Sequence, residues 1–351
     1  MSLINIRHLT KEEISKELSL LREPGFRANQ IWQWLWEKNV ASFEEMSNLP
    51  QALREKLSLN FKIYKLSINN KQVSTDGTIK LGFKLYDNEL VEGVLIPADD
   101  RMTACISSQV GCSLACSFCA TARLPRKRNL FFDEIYDQVA NINKIALEHY
   151  SKKLTNIVFM GMGEPLLNYT NVIKGIERIT ADDGLGMAPK RITVSTAGIA
   201  KMIKKLADEE VKFNLALSLH AATDEKRNTI MAINETNNLE ALKEALQYFT
   251  DKTGTRVTLE YVMLSGYNDG KEDVISLATF CKKLPCKVNL IEYNPIENGI
   301  FKKSSGNALH RFKDYLEANH IIANIRRSRG EDIDAACGQL ANKELEKSMT
   351  L

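Results

Sequence analysis

Residues 154–161, LTNIVFMG, and 191–198, RITVSTAG, are short runs of β-forming residues, and NVIKGIERI at 171–179 between them carries apolar residues at helical spacing. The same alternation recurs to the end of the chain. FNLALSLHA (213–221), RVTLEYVMLSG (256–266), KVNLIEYNP (287–295) and ANIRRSRG (323–330) read as further strands, most of them closing in Gly, Ser, Asn or Pro. AKMIKKLADE (200–209), NLEALKEALQYFTD (238–251) and GNALHRFKDYLEANH (306–320) read as helices, and DEIYDQVANINKIALEHY (133–150) precedes the first strand. Right-handed crossovers and strongly apolar strands favour a parallel sheet, and about six βα units predict an α/β fold with an incomplete barrel.

Outward from this core, residues 1–60 are polar with helical periodicity, in EEISKELSLL (12–21) and NQIWQWLWEK (29–38), and predict a small helical accessory domain. Trp32, Leu35 and Trp36 share one helix face. Core packing of these indoles is favoured over base stacking. Asn48, Leu49 and Pro50 introduce another short helix, and IKLGFKLYD (79–87) and ELVEGVLIP (89–97) alternate as strands do. The expected layout is a helical domain at 1–60, a hairpin linker at 61–97, a barrel core at 98–332 and a C-terminal segment at 333–351.

The chain of 351 residues is long enough for one large and one small domain, and 47 Lys and Arg against 44 Asp and Glu leave a net charge of +3. Such a balance neither demands nor excludes a nucleic-acid partner. The N-terminus has no apolar signal region, and no window approaches the roughly 18 apolar residues of a membrane span. A cytoplasmic, membrane-free monomer is expected. Seven cysteines, three of them closely spaced, fit a reducing compartment better than a disulfide framework.

Cys105, Cys112, Cys116 and Cys119 carry the sharpest chemistry, the last three within GCSLACSFCA (111–120). Three thiolates on one loop can hold three irons of a 4Fe-4S cluster and leave the fourth iron open to a ligand. A structural zinc site with Cys105 as fourth ligand is the competing reading, although the spacing departs from paired C-x-x-C modules. In a parallel barrel, polar residues closing successive strands converge on one mouth. Gly163 and Glu164, Ser195, Ser218 with His220, and Asn294 hold such places. Together they suit a small polar ligand, with Glu164 able to accept from an ammonium group. Cys337, in DIDAACGQL (332–340), reads equally well as a buried or a reactive thiol, whereas Cys281 and Cys286 read as packing residues. Basic residues at Arg123, Arg126, Lys127, Arg128, Lys190, Arg191, Lys302, Lys303, Arg326, Arg327 and Arg329 would form a phosphate-binding collar if they share the barrel rim.

The cysteine loop, with Phe118 before its last cysteine, resembles the radical S-adenosylmethionine (SAM) superfamily. VEGVLIP, CISSQVGCSLACSFCAT, FMGMGEPLLN, ITVSTAG, LALSLHA, VTLEYVML, VNLIEYNP and RGEDIDAACGQL are similar, in order, to the RNA adenine-C2 methyltransferase family called RlmN. FRANQIWQWLW and SNLPQALREKL look like that family's N-terminal RNA-recognition domain. The resemblance implies a partial (β/α)6 radical SAM barrel. It also implies methylation of C2 of an adenosine in the peptidyl-transferase region of 23S rRNA and of adenosine 37 in certain tRNAs. Carbon 2 of adenine is not nucleophilic, so a radical route is needed.

By resemblance, Cys112, Cys116 and Cys119 hold the 4Fe-4S cluster. Gly163, Glu164, Ser195, Ser218, Leu219, His220 and Asn294 contact SAM. Cys337 takes a methyl group from one SAM, a second SAM yields a 5′-deoxyadenosyl radical, and the RNA becomes joined to Cys337. Glu92 is then the proton acceptor, and Cys105 releases the product through a transient disulfide with Cys337. Read from residue chemistry alone, Glu92 is a solvated carboxylate. Flavodoxin is the implied electron donor. Where the family carries a glycine-bearing stretch after CAT, this chain has Ala122 to Lys127, a stiffer and more basic loop. The rival readings are a Cfr-like C8 methyltransferase and a non-catalytic iron-sulfur RNA-binding protein.

Overall fold

A computed structural model describes residues 3–342. The N-terminal part holds β1 (Ile4–Asn5), α1 (Lys11–Leu20), α2 (Arg27–Trp36), α3 (Gln51–Asn60) and β2 (Phe61–Lys62), with β1 and β2 paired in parallel. Thr10 and Glu13 start α1 reciprocally: the Glu13 N–H donates to Thr10 Oγ1 at 3.2 Å and the Thr10 N–H to Glu13 Oε2 at 2.7 Å. Ile31, Leu35 and Trp36 bury one face of α2, so the indole at 36 packs in the core as its spacing predicted.

Next come β3 (Ser67–Val73), β4 (Ile79–Lys84), β5 (Leu90–Pro97), β6 (Met102–Cys105), β7 (Gln109–Val110) and β8 (Arg128–Asn129). The repeat region follows as α4 (Phe132–Tyr150), β9 (Asn156–Phe159), α5 (Tyr169–Thr180), β10 (Ile192–Thr196), α6 (Ala200–Asp208), β11 (Asn214–Ser218), α7 (Asp224–Ile230) and α8 (Leu239–Thr253). It ends with β12 (Val257–Met263), α9 (Lys271–Cys281), β13 (Cys286–Glu292), α10 (Gly306–Ala318) and β14 (Ile322–Arg326).

One 10-stranded sheet runs in the order β14-β13-β12-β11-β10-β9-β6-β5-β4-β3. Strands β6 and β9 through β14 are mutually parallel, each joined to the next by a helical crossover. The order never returns on itself, which is the incomplete barrel the repeats predict. Residues 61–97, expected as a hairpin linker, instead carry the antiparallel strands β3, β4 and β5, which continue this sheet across β6. The reason lies in β4, whose residues Ile79–Phe83 are buried on both faces and so belong inside a layered core. Residues 343–351 of the expected C-terminal segment lie outside the described residues.

The helical domain is fixed to α4 by buried charge. Arg7, fully buried, donates from both terminal nitrogens to Asp137 at 2.8 Å, and Asp133 accepts from Asn5 at 2.8 Å and lies 3.0 Å from His8 Nε2. Trp36 stacks on Phe132 and meets Tyr136 edge-on, with Arg7 4.6 Å above its ring.

Candidate active site

The C-terminal ends of β9 to β14 open on one cavity, lined by Phe159, Ser195, Ser218, Val262, Ile291 and Arg326 from the strands and by Cys112, Cys116 and Cys119 from the loop after β7. Gly111 turns the chain into that loop at φ +73°, where an added Cβ would stand 2.2 Å from the Pro125 carbonyl oxygen, so glycine alone fits. The Cys119 N–H donates to the Cys116 carbonyl at 3.1 Å, and the Ser117 N–H donates to Ile230 O at 3.0 Å, pinning the loop to the barrel. All three thiols are free, and burial pushes each of them up, with Cys119 and Cys112 adding to the effect at Cys116.

Among the described residues no group of three His, Cys, Asp or Glu side chains is arranged to hold a single metal ion. Cys105, the fourth ligand a zinc site would need, lines a neighbouring cavity instead. Three soft sulfur donors on one loop, facing a largely apolar cavity without a fourth protein ligand, fit a cluster with an open corner and not a closed zinc site.

Opposite the thiols, Gly163 adopts φ +93° with Gln109 Cβ 2.5 Å from where its own Cβ would be. Glu164 is fully buried; Oε2 accepts from the Ala197 N–H at 2.7 Å and Oε1 from the Leu166 N–H at 3.0 Å, and burial pushes its carboxyl up. Glu164 therefore braces the ends of β9 and β10 while lining the cavity. Ser195 Oγ and Ser218 Oγ lie 3.4 Å apart on adjacent strands. His220, at φ +58°, accepts from the Val262 N–H through Nδ1 at 3.0 Å and meets Phe118 of the cysteine loop edge-on. Burial, reinforced by the Arg227 charge, lowers it to about 3. With Nδ1 accepting, the neutral ring carries its proton on Nε2, and His220 lines the cavity. Leu219 differs from its neighbours: it is fully buried, absent from the cavity wall, and its carbonyl accepts from Arg227 Nε at 3.0 Å.

Cys105, Asn294, Arg326 and Cys337 share the second cavity, and Cys337 and Arg326 line both. Asn294 Nδ2 donates to the Cys337 carbonyl at 3.1 Å. The segment carrying Cys337 is tied to the cysteine loop, since the Ala120 N–H donates to Gly338 O at 2.7 Å and Thr121 Oγ1 to Leu340 O at 2.6 Å. Burial and the Cys337 charge push the Cys105 thiol up to about 12, with Arg326 opposing. Glu92, expected in solvent, is buried in β5. Its Oε2 accepts from the Ala341 and Asn342 N–H groups at 2.8 and 3.1 Å, and its Oε1 is 3.5 Å from Lys80 Nζ.

Arg227 and Glu260 escaped sequence reasoning, and Arg326, expected on a phosphate-binding rim, turns out to line both cavities. Arg227 in α7 is fully buried and donates to the carbonyls of Ala197, Ser218 and Leu219, closing the ends of β10 and β11. Nothing in DEKRNTI (224–230) separates it from a solvated charge. Arg326 closes β14, 3.8 Å from Glu260 Oε2. Glu260 Oε1 accepts from Asn289 at 2.9 Å, but its buried Oε2 has no hydrogen-bond partner among the described residues, nor has Asn294 Oδ1. A carboxylate inside the apolar run VTLEYVML was a readable signal. Unpartnered buried acceptors beside the cavity ask for a ligand with donors.

The description Radical SAM superfamily matches residues 106–278, and Ribosomal RNA large subunit methyltransferase N-terminal domain matches residues 4–63. A probable dual-specificity RNA methyltransferase RlmN from Cytophaga hutchinsonii is 61% identical over 97% of this chain and 93% of its own. The chain belongs to the RlmN family of radical SAM RNA methyltransferases. A protein of the same description from Flavobacterium psychrophilum is 54% identical over 97% of this chain and 98% of its own. The crystal structure of a radical SAM methyltransferase from Sphaerobacter thermophilus aligns with a TM-score of 0.91 at 38% identity, over 96% of this chain and 99% of that one. Membership in the RlmN family implies a 4Fe-4S cluster and SAM, which the thiol loop and the polar strand ends suit. No helix of the described residues is long and apolar enough to cross a membrane.

Proposed function

We propose that this enzyme methylates C2 of an adenosine in the peptidyl-transferase region of 23S rRNA and of adenosine 37 in certain tRNAs, using two SAM per turnover and acting in the cytoplasm. The observation that carries the reading is the place of Cys337, on the wall shared by the cavity of the thiol loop and the cavity of Cys105. Cys112, Cys116 and Cys119 would hold the cluster, and Gly163, Glu164, Ser195, Ser218, His220 and Asn294 would hold SAM, with Leu219 supporting the end of β11 from outside the cavity. When bound, the cluster supplies the electron that splits SAM to a 5′-deoxyadenosyl radical.

The protein's own work is carried by three residues. Cys337 loses its thiol proton and takes the methyl group of a first SAM, leaving S-adenosylhomocysteine. After hydrogen abstraction, the methylene radical on Cys337 bonds to C2 of the adenine, and the adduct radical gives up one electron, returned to the cluster. Glu92 accepts the proton lost from C2, and the Cys105 thiolate attacks Cys337 sulfur, breaking its bond to the methylene carbon and forming a disulfide, while that carbon takes a proton to become the methyl group of the departing RNA. A reduced flavodoxin-type donor supplies electrons, and exposed Arg123, Arg126 and Lys302 hold the phosphates, whereas Lys190 and Arg191 precede β10 and stand at the far end of the barrel from the cavity.

Anaerobically reconstituted enzyme, incubated with SAM, is expected to gain one methyl group on Cys337 and then to give 2-methyladenosine in rRNA fragments and tRNA. Digestion and mass spectrometry read both. A Cys337→Ala variant that still methylates RNA, or a product methylated on C8 alone, overturns the proposal.

A further inference from the structure

Single aliphatic residues on a protein surface are ordinary. Ile300, at 80% the most exposed large hydrophobic residue among those described, gains its meaning from its setting. The loop that carries it, residues 295–303, is stitched down on every side. The Gly299 N–H donates to Ile296 O at 2.9 Å, the Ser265 N–H donates to Lys302 O at 2.9 Å, and Lys303 bridges Leu264 in antiparallel fashion. Arg123, from the basic stretch after the cysteines, donates to the carbonyls of Glu297 and Asn298.

The loop stands at the mouth of the active-site cavity, because both neighbours of Ile300 rest on Tyr293, which lines it. A Cβ on Gly299 would lie 3.0 Å from the Tyr293 hydroxyl, and Phe301 meets the Tyr293 ring edge-on with centroids 6.2 Å apart. Phe301 is thereby committed to packing and Ile300 is left in solvent. Arg123, Arg126 and Lys302, all exposed, are nearby in sequence or directly bonded to the loop. A rigid apolar tip beside positive charge, at the entrance to a pocket, has the makings of a nucleic-acid wedge.

The chemistry supplies the rest, on the reading given under Proposed function. For C2 of an adenine to meet Cys337 inside the cavity, the nucleotide must leave its stack, and the gap it leaves closes again unless something fills it. A branched aliphatic side chain fills such a gap without hydrogen-bond demands of its own, and so serves different sequence contexts equally. We infer that Ile300 inserts between the nucleotides flanking the target adenosine and holds them apart while that adenosine occupies the cavity.

The test uses full-length reconstituted enzyme and a tRNA transcript carrying 2-aminopurine directly 3′ of the target adenosine, whose fluorescence rises when its stacking is lost. The wild type is expected to raise the fluorescence on binding. Ile300→Ala is expected to lose most of that rise and about tenfold in methylation kcat/KM, while methylating its own Cys337 from SAM at the wild-type rate without RNA. Ile300→Leu is expected to restore both signals. An Ile300→Ala enzyme that unstacks and methylates the transcript as the wild type does refutes the wedge alone. A wild type that methylates Cys337 but neither unstacks nor methylates the transcript refutes the RNA reading on which the wedge rests.

Discussion

Cys105 shows how one burial decides a step of chemistry. Its thiol sits at the end of β6, pushed up to about 12 by burial first and the Cys337 charge second; in the adduct Cys337 is a neutral thioether, so burial alone holds the thiol above its ordinary value, and at neutral pH it is mostly protonated. Only the thiolate attacks sulfur, and below such a value each unit of pH raises the thiolate fraction about tenfold. Resolution of the protein–RNA adduct is therefore expected to accelerate with a log-linear slope near one between about pH 7 and pH 9, measured by quenching single turnovers and counting RNA-bound protein. A plateau starting near neutrality would mean that Cys105 is not the group that limits release. At this scale the three cysteines at 112, 116 and 119 were legible because loop spacing alone brings them together. Arg227 was not: it becomes a site residue by burial against strands far away in sequence, and no local pattern distinguishes a buried arginine from a solvated one.

Helix α4 is the element on which the two parts of the molecule meet. Asp133 and Asp137 project from it toward Arg7, and Arg7 has no water to fall back on. Replacing it with Met leaves Asp137 with Lys65 and Asp133 with His8 and Asn5 but removes the guanidinium between them, an expected cost of about 3 kcal/mol at neutral pH, read by denaturant titration with the neighbouring Trp36 as fluorophore. The sign of the pH dependence follows from Asp133. Burial acts to raise its carboxyl, but the His8 hydrogen bond and the Arg7 charge outweigh that and hold it below the usual range. The stability it contributes is present above the unfolded value near 3.8 and is lost as pH falls through the lower folded value. The gap between Arg7→Met and the wild type is thus expected to narrow as the pH drops below about 4. A gap that stays constant across that range would assign the domain contact to packing alone. The helices themselves were readable from 3.6-residue periodicity, as in α6, where Ile203, Leu206 and Ala207 are buried. Strands β4 and β5 were read correctly as a hairpin but assigned too little: alternation within a strand says which residues face in, not which sheet it joins.

For the whole molecule, the C-terminal segment is a strap, and Cys337 is placed by two successive knots just beyond it. One knot is the cysteine loop, through Ala120 and Thr121; the other is Glu92, whose carboxylate accepts the N–H groups of Ala341 and Asn342. A residue proposed to take a proton from RNA thus also holds the backbone beyond the methyl-bearing thiol, and the two roles separate experimentally. Glu92→Gln keeps an oxygen that can accept both N–H groups but is a poor base, whereas Glu92→Ala removes the acceptor altogether. If the strap role is real, Glu92→Ala without RNA is expected to raise amide exchange at Ala341 and Asn342 and to speed iodoacetamide labelling of Cys337 by about fivefold to thirtyfold, the loss of one to two kcal/mol of hydrogen bonding. Glu92→Gln is expected to leave both measurements near the wild type while the RNA adduct accumulates. Equal exchange and labelling in all three proteins would leave Glu92 as a base with no part in placing Cys337. The physical distinction is between a carboxylate that binds a proton late in turnover and one that carries structural hydrogen bonds throughout it, and the Gln variant divides them because it preserves shape and acceptance but not basicity.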